Sequence, residues 1–143
     1  MTGAPQPKVI PELACSDIEV SRRFYVDVLG FDVLYERRET RFAYLVRDGA
    51  ALMLEEIGAG RPLTADELDY PLGRGMHLQI EVSDVDALYA RATAAAVAIP
   101  LPLEERWYRA NDVLLGNRQF AMRDPDGYVL RFFSDLGARP LEA

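Results

Sequence analysis

The sequence predicts an α+β fold of two tandem βαβββ units, whose mixed sheets curl into a cup with the helices outside. Two observations support this prediction. A pattern of one apolar strand, one amphipathic helix and three further strands occurs twice along the 143 residues. Short strings at the start of both helices and around the last turn of both halves also resemble each other, which a duplicated unit explains.

The first half begins with a strand at residues 9–15, VIPELAC, which alternates between two faces. The following segment, SDIEVSRRFYVDVLG, predicts a helix, because Ser16 and Glu19 have the spacing of a capping box and Gly30 is a natural C-terminal stop. Three strands then complete the unit: FDVLYER, RFAYLVR and ALMLEEI.

The second half repeats this order. MHLQIEV is a strand, and SDVDALYARATAAAV is a helix that opens with Ser83 and Asp86 at the same capping spacing. IPLPLEERWY, RQFAMRD and YVLRFFS are the remaining strands. The string VRDGAALMLE in the first half aligns without a gap with MRDPDGYVLR in the second, which predicts that the two hairpins are equivalent.

The chain thus divides into a flexible lead, a first repeat, a connecting segment, a second repeat and a C-terminal tail. The predicted bounds are 1–7, 8–57, 58–74, 75–135 and 136–143, with 8–135 forming one domain.

Composition narrows the function. The net charge of −7 disfavours nucleic acid and favours cationic small molecules. No apolar run has the length of a membrane span, so we expect no membrane partner. The single cysteine, Cys15, rules out an internal disulfide framework and is typical of a cytoplasmic protein.

The strand alternation predicts which residues line the cup. His77, the only histidine, shares one face of its strand with Gln79 and Glu81. Ile10 and His77 each lie seven residues before the aspartate at a helix start, and Glu55 and Arg131 each lie seven residues after the aspartate of a turn. We therefore expect Ile10, Glu55, His77 and Arg131 to meet near the centre of the cup.

The strings RFYVDVLGF and GNRQFAMRDPDGYVLRFF, with the paired halves, resemble the vicinal oxygen chelate superfamily over residues 8–135. This superfamily includes glyoxalase I, extradiol dioxygenases and the fosfomycin- and bleomycin-resistance proteins. The resemblance implies that metal-using members carry His, Gln or Glu at the positions of Ile10, Glu55, His77 and Arg131. Ile10 has no donor atom and the Arg131 guanidinium repels a cation, so we expect no metal and no other cofactor.

In its loss of metal ligands the chain resembles the bleomycin-resistance branch of the superfamily. The resemblance implies that the protein binds a drug without a chemical reaction. It also implies a homodimer with ligand crevices at the interface. We therefore predict no catalytic residue and a set of ligand-binding residues. They are Glu12, Met53, Glu55, His77, Gln79, Trp107, Tyr108, Phe120, Arg131 and Phe133.

Several alternatives stay open at this point. His77 contacts the ligand or is a structural histidine, and Glu12 supplies charge to a ligand or lies at an exposed rim. Arg131 and Glu55 pair with each other, or one of them meets a charged group of the ligand. In the segment 104–117, Trp107 and Tyr108 are followed by a polar stretch that we expect to be a loop, and the aromatic pair either closes over the crevice or packs on the dimer partner.

The sequence therefore favours a metal-free protein that holds a cationic, aromatic organic ligand of the bleomycin type. The rival hypothesis is a divalent-metal lyase, isomerase or dioxygenase that uses Glu55 and His77. A third is a subunit that keeps the scaffold only for dimeric assembly.

Overall fold

A computed structural model describes residues 6–60 and 68–141. Each half of the chain contains one four-stranded mixed sheet and the element order β-α-β-β-β, which confirms the predicted α+β fold. No helix in these two ranges is long and apolar enough to cross a membrane. Parts of the predicted lead, connecting segment and tail lie outside the described residues.

The chain forms two compact units that differ slightly from the two sequence repeats. The first unit is Met1–Leu72 together with Pro125–Gly127, and the second is Gly73–Asp124 together with Tyr128–Ala143. The turn that links the last two strands of the second repeat therefore belongs, by its contacts, to the first unit.

The first unit has a sheet in the order β1-β4-β3-β2, with β1 parallel to β4 and the other pairs antiparallel. Its helix continues as a π-helical turn, Phe24–Val28, and a short 3-10 turn, Arg38–Thr40, precedes β3. The remaining elements are β1 Glu12–Cys15, α1 Ile18–Arg23, β2 Asp32–Arg37, β3 Phe42–Arg47 and β4 Ala50–Glu56.

Helix α1 starts one residue later than the capping-box prediction. Asp17, and not Ser16, is the N-cap, and its carboxylate accepts from the backbone N–H groups of Glu19 and Val20 at 3.0 and 3.2 Å. A carboxylate at this place satisfies amides that have no partner within the helix. Gly30 follows the π-helical turn with φ of +77°, a conformation that favours glycine and ends the helical segment.

The second unit has the sheet order β5-β8-β7-β6, again with its first pair parallel. The N-cap of its helix is Asp84, which accepts from the Ala87 N–H at 3.0 Å, so Ser83 is not the cap here either. Strand β8 runs five residues past position 135, where the sequence predicts the second repeat to end. The elements are β5 His77–Glu81, α2 Val85–Ala94, β6 Leu101–Ala110, β7 Val113–Arg123 and β8 Val129–Pro140.

Helix α2 is tied to its sheet by an exposed ion pair. Arg118 of β7 donates to the Asp86 carboxylate, with an Nη2–Oδ1 distance of 2.8 Å. Hydrogen bonding from Arg118 lowers the pKa of Asp86 below its ordinary value of 3.8 and Asp86 in turn raises the pKa of Arg118. When folding lowers the pKa of a carboxyl group, the ionised group stabilises the fold at pH values above its unfolded-state pKa. That stabilisation is lost as the pH falls through its folded-state pKa.

The two faces of each sheet differ in what covers them. In the first unit Leu13, Leu45 and Leu54 are at most 4% exposed on the face that packs on α1. In the second unit Ile80 and Phe132, at 8% and 0% exposure, lie on the face that packs on α2. We call these the helix faces, and the opposite sides of the two sheets the helix-free faces.

The turn at Pro125–Gly127 stabilises the start of α1. The Asp126 carboxylate is 5% exposed and accepts from the Ser16 N–H at 3.1 and 3.2 Å and from the Ser21 hydroxyl at 3.4 Å. A buried carboxylate with several donors satisfies groups that would otherwise lose their hydrogen bonds on folding.

We predict that Asp126→Ala lowers the free energy of unfolding by about 1–3 kcal/mol, because it leaves buried donors without an acceptor. Urea denaturation measures the change. Asp32→Ala, at an exposed position of β2, is the control and changes the stability by less than about 0.5 kcal/mol. Equal denaturation midpoints for the two variants would contradict this role of Asp126.

Candidate functional site

The candidate site lies on the helix-free face of the second unit. Residues that pair directly across neighbouring strands point to the same face of a sheet. Gln79 of β5 pairs with Arg131 of β8, and Glu81 pairs with Phe133. Phe133 in turn pairs with Gln119 of β7. Two rows of side chains therefore cross this face. Gln79 and Arg131 form the first, and Glu81, Phe133 and Gln119 form the second.

A concavity of about 650 Å³ occupies the same face. Its lining comes from the second unit alone. The lining residues are Gln79, Tyr108, Leu115, Asn117, Arg131, Phe133, Asp135, Gly137 and Ala138. The structure thus brings together four of the residues singled out in the sequence, namely Gln79, Tyr108, Arg131 and Phe133. Their contact with a ligand remains a prediction.

Arg131 is a half-buried cation in this concavity. Its Nε atom is shielded from solvent and has no hydrogen-bond acceptor within the described part of the chain. Its guanidinium carbon lies 5.9 Å from the centroid of the Tyr108 ring, within the range of a cation–π contact. The predicted pairing of Arg131 with Glu55, which belongs to the first unit, stays a prediction.

Tyr108 is held in place by a buried amide. The Gln119 side chain is 1% exposed, and its Nε2 donates to the Glu104 carboxylate at 2.8 Å and to the Tyr108 oxygen at 2.6 Å. The Tyr108 hydroxyl accepts in this contact, so its own hydrogen is available to an acceptor in the concavity. Gln119 was missed by sequence reasoning, because its facing depends on the pairing of β6 with β7.

Trp107 does not line the concavity, contrary to the sequence prediction. The stretch 104–117 is a β-hairpin and not a loop, so Trp107 points to the opposite side from Tyr108. There the Arg139 guanidinium carbon lies 4.1 Å from the Trp107 ring centroid. Gly116 leaves room for the ring, since a Cβ at this position would come within 2.7 Å of it.

Phe120 also departs from its predicted place. It is completely buried on the helix face, where its ring centroid lies 5.0 Å from that of Tyr89 and 5.8 Å from that of Phe132. Phe120 therefore packs in the core of the second unit and is not positioned for a ligand on the helix-free face.

The first unit carries three of the predicted site residues on its own helix-free face. Glu12 is exposed and pairs with Met53, and Glu55 pairs with Ala14 of β1 and with Phe42 of β3. Met53 and Glu55 are half-buried. These residues lie together on one face of the first sheet and are described for that unit alone.

The strand register changes the predicted equivalence between the repeats. On the helix faces Leu13 pairs with Leu54 in the first unit, and Ile80 pairs with Phe132 in the second. We treat these two pairs as structurally equivalent, because each joins a buried residue of the first strand of its unit to a buried residue of the last strand.

The pair Glu12–Met53 therefore corresponds to Gln79–Arg131. The prediction that Glu55 corresponds to Arg131 is wrong by two residues. The first hairpin turn has two residues between its paired strands, whereas the second spans 124–128, so an alignment of the strings without a gap does not preserve the strand register.

The resemblance implies metal ligands at the positions of Ile10, Glu55, His77 and Arg131, and the strand register puts Met53 in the place of Glu55. Isoleucine has no donor, a thioether suits soft metal ions, and a guanidinium is a permanent cation. His77 is exposed at the start of β5 and is the single nitrogen ligand of this set. Residues 6–60 and 68–141 contain no group of three or more His, Cys, Asp or Glu that could hold a metal ion. The residue types at these positions do not supply the set of ligands that a divalent metal ion needs.

Five lining residues were not predicted from the sequence. They are Leu115, Asn117, Asp135, Gly137 and Ala138. A bulge between Gly116 and Asn117 shifts the pairing of β7 with β8, so simple alternation does not give their facing. The continuation of β8 beyond residue 135, where we expected a tail, brings Gly137 and Ala138 into the site.

We predict that protein purified without chelators contains far less than one divalent metal ion per chain, because the equivalent positions lack ligands. Elemental analysis by mass spectrometry measures the content. A stoichiometric ion that is lost in His77→Ala and kept in Gln79→Ala would contradict the prediction and support the enzyme hypothesis.

Comparison with known proteins gives consistent results for sequence and structure. Residues 9–132 match the family model described as Glyoxalase/Bleomycin resistance protein/Dioxygenase superfamily. The chain is 28% identical over 136 residues to the bleomycin resistance protein of Geobacillus stearothermophilus, covering 89% of this chain and 96% of that protein. A bleomycin resistance protein of Staphylococcus aureus shows the same identity and coverage.

Among solved structures, TioX from Micromonospora sp. ML1 is similar with a TM-score of 0.67 and 29% identity, covering 94% of this chain and 100% of that one. A protein of unknown function from Agrobacterium tumefaciens str. C58 has the same TM-score and identity, covering 93% and 97% of the two chains.

Proposed function

Because the chain belongs to the glyoxalase/bleomycin resistance protein/dioxygenase superfamily, we propose that it is a metal-independent binding protein that sequesters a cationic, aromatic organic ligand of the bleomycin type. The observation that carries the proposal is the concavity on the helix-free face of the second unit, which has the permanently charged Arg131 in its lining. The similarity to bleomycin resistance proteins supports the same class of ligand.

The side chains around Phe133 suit a positively charged aromatic molecule. Glu81 pairs with Phe133 across the sheet, and Asp135 lies two residues further along the same strand. Carboxylates beside an aromatic ring attract a cationic group, while the ring offers a surface for stacking. The net charge of −7 raises the local concentration of cations around the whole protein.

We further propose that the protein is a cytoplasmic homodimer whose ligand crevices include residues of both chains. The far end of the second sheet exposes three large apolar side chains, which a partner subunit would cover. They are Leu115, Leu136 and Leu141, at 44%, 38% and 39% exposure. Exposed large apolar side chains that form a continuous patch are typical of an interaction surface, and we propose that these three belong to one.

Isothermal titration with metal-free bleomycin tests the proposed function. We expect saturable binding of one molecule per chain, and roughly tenfold weaker binding in Phe133→Ala, because the stacking surface is lost. Trp107→Phe, on the other face of the sheet, is the control and binds like the wild type.

Absence of binding heat at high micromolar bleomycin would remove this drug class from the proposal. Unchanged affinity in Phe133→Ala would place the bleomycin site elsewhere in the molecule.

A further inference from the structure

Arg131 carries a positive charge that no described residue neutralises. It makes no salt bridge with a carboxylate in residues 6–60 or 68–141, and its shielded Nε has no acceptor there. Arginine stays protonated in proteins, so the side chain cannot relieve this by losing a proton. A partly buried charge without a partner is unfavourable, and an anionic group in the concavity would remove that penalty.

The other donors of the concavity favour the same kind of group. The Tyr108 hydroxyl keeps its hydrogen free, because its oxygen already accepts from Gln119 at 2.6 Å. The amide side chains of Gln79 and Asn117 belong to the same lining. Hydrogen-bond donors thus share the lining with Arg131, and Asp135 is the single carboxylate among the described residues of that lining.

Aromatic rings define where the rest of the ligand lies. The Tyr108 ring faces the Arg131 guanidinium, and Phe133 lies two residues along β8 on the same face. A planar molecule that stacks on these rings places a substituent at its edge close to the guanidinium. A carboxylate suits this place best, since its two oxygens match the planar donor fork of arginine.

We infer that the ligand of this concavity carries a carboxylate on an aromatic ring system, with the carboxylate bound by Arg131 and the ring stacked on Tyr108 and Phe133. The inference rests on the proposed binding function and specifies its ligand class. A positive group on the same molecule would lie towards Glu81 and Asp135. The ligand would then carry both charges, and the cationic ligand of the proposed function would be a zwitterion.

Three small probes that differ in one group test this inference. Naphthoate, naphthamide and naphthylmethylammonium share the same ring system and are titrated separately into the full-length protein by isothermal calorimetry. We expect naphthoate to bind at least about tenfold more tightly than naphthamide, because the charge-assisted pair with Arg131 is stronger than a neutral hydrogen bond.

Variants of two arginines on the same strand distinguish an effect of this site from an effect of the overall charge. In Arg131→Gln the preference for naphthoate over naphthamide disappears, while naphthamide binds within about twofold of the wild type. Arg139→Gln removes the same charge on the other face, next to Trp107, and keeps the preference. Arg131→Lys retains the charge, and the preference falls between those of the wild type and Arg131→Gln.

Heteronuclear NMR provides a second readout that does not depend on affinities. Naphthoate shifts the side-chain Nε resonance of Arg131 and leaves that of Arg139 unchanged. The same spectra show whether each variant is folded.

Equal binding of naphthoate by the wild type and Arg131→Gln, with no shift of the Arg131 resonance, would overturn the inference. So would the absence of naphthoate binding at millimolar concentration. In both cases the bleomycin titration still decides the proposed function, because it needs no carboxylate at Arg131. Naphthoate binding without bleomycin binding would support the carboxylate site and remove bleomycin as its ligand.

Discussion

The register between the first and last strand of each unit is the constraint on which the rest of the structure depends. Leu13 pairs with Leu54 on one face of the first sheet, and Glu12 pairs with Met53 on the other. Because side chains alternate with a period of two, a slip of one residue would move the apolar set away from the helix and bury the polar set. The packing of the helix on one face therefore determines which residues remain for the other.

The order of elements could be predicted from the sequence, because caps, glycine stops and apolar alternation are local signals. The facing of Gln79 follows from this alternation, since Ile80 next to it must be buried. The facing of Trp107 and Asn117 could not be predicted, because it depends on hairpin register and on a bulge. The mismatch between Glu55 and Arg131 has the same origin, since a longer turn shifts the strand that follows it.

Arg131 stands where the resemblance to the superfamily implies a metal ligand, and this difference bears on what the helix-free face of the second unit can recognise. A metal centre concentrates positive charge at one point and requires several donors around it. Arg131 instead offers a fixed charge and a planar set of donors, beside the rings of Tyr108 and Phe133. We propose that such a surface binds planar organic molecules by shape, stacking and hydrogen bonds.

We propose that the helix-free face of the second sheet is the ligand surface. Chemical-shift mapping by NMR during a titration with metal-free bleomycin is the decisive test. We expect the largest shifts at Gln79, Tyr108, Arg131 and Phe133, with little change at Phe120 and Tyr89 on the helix face. Shifts confined to residues outside that face would contradict the claim.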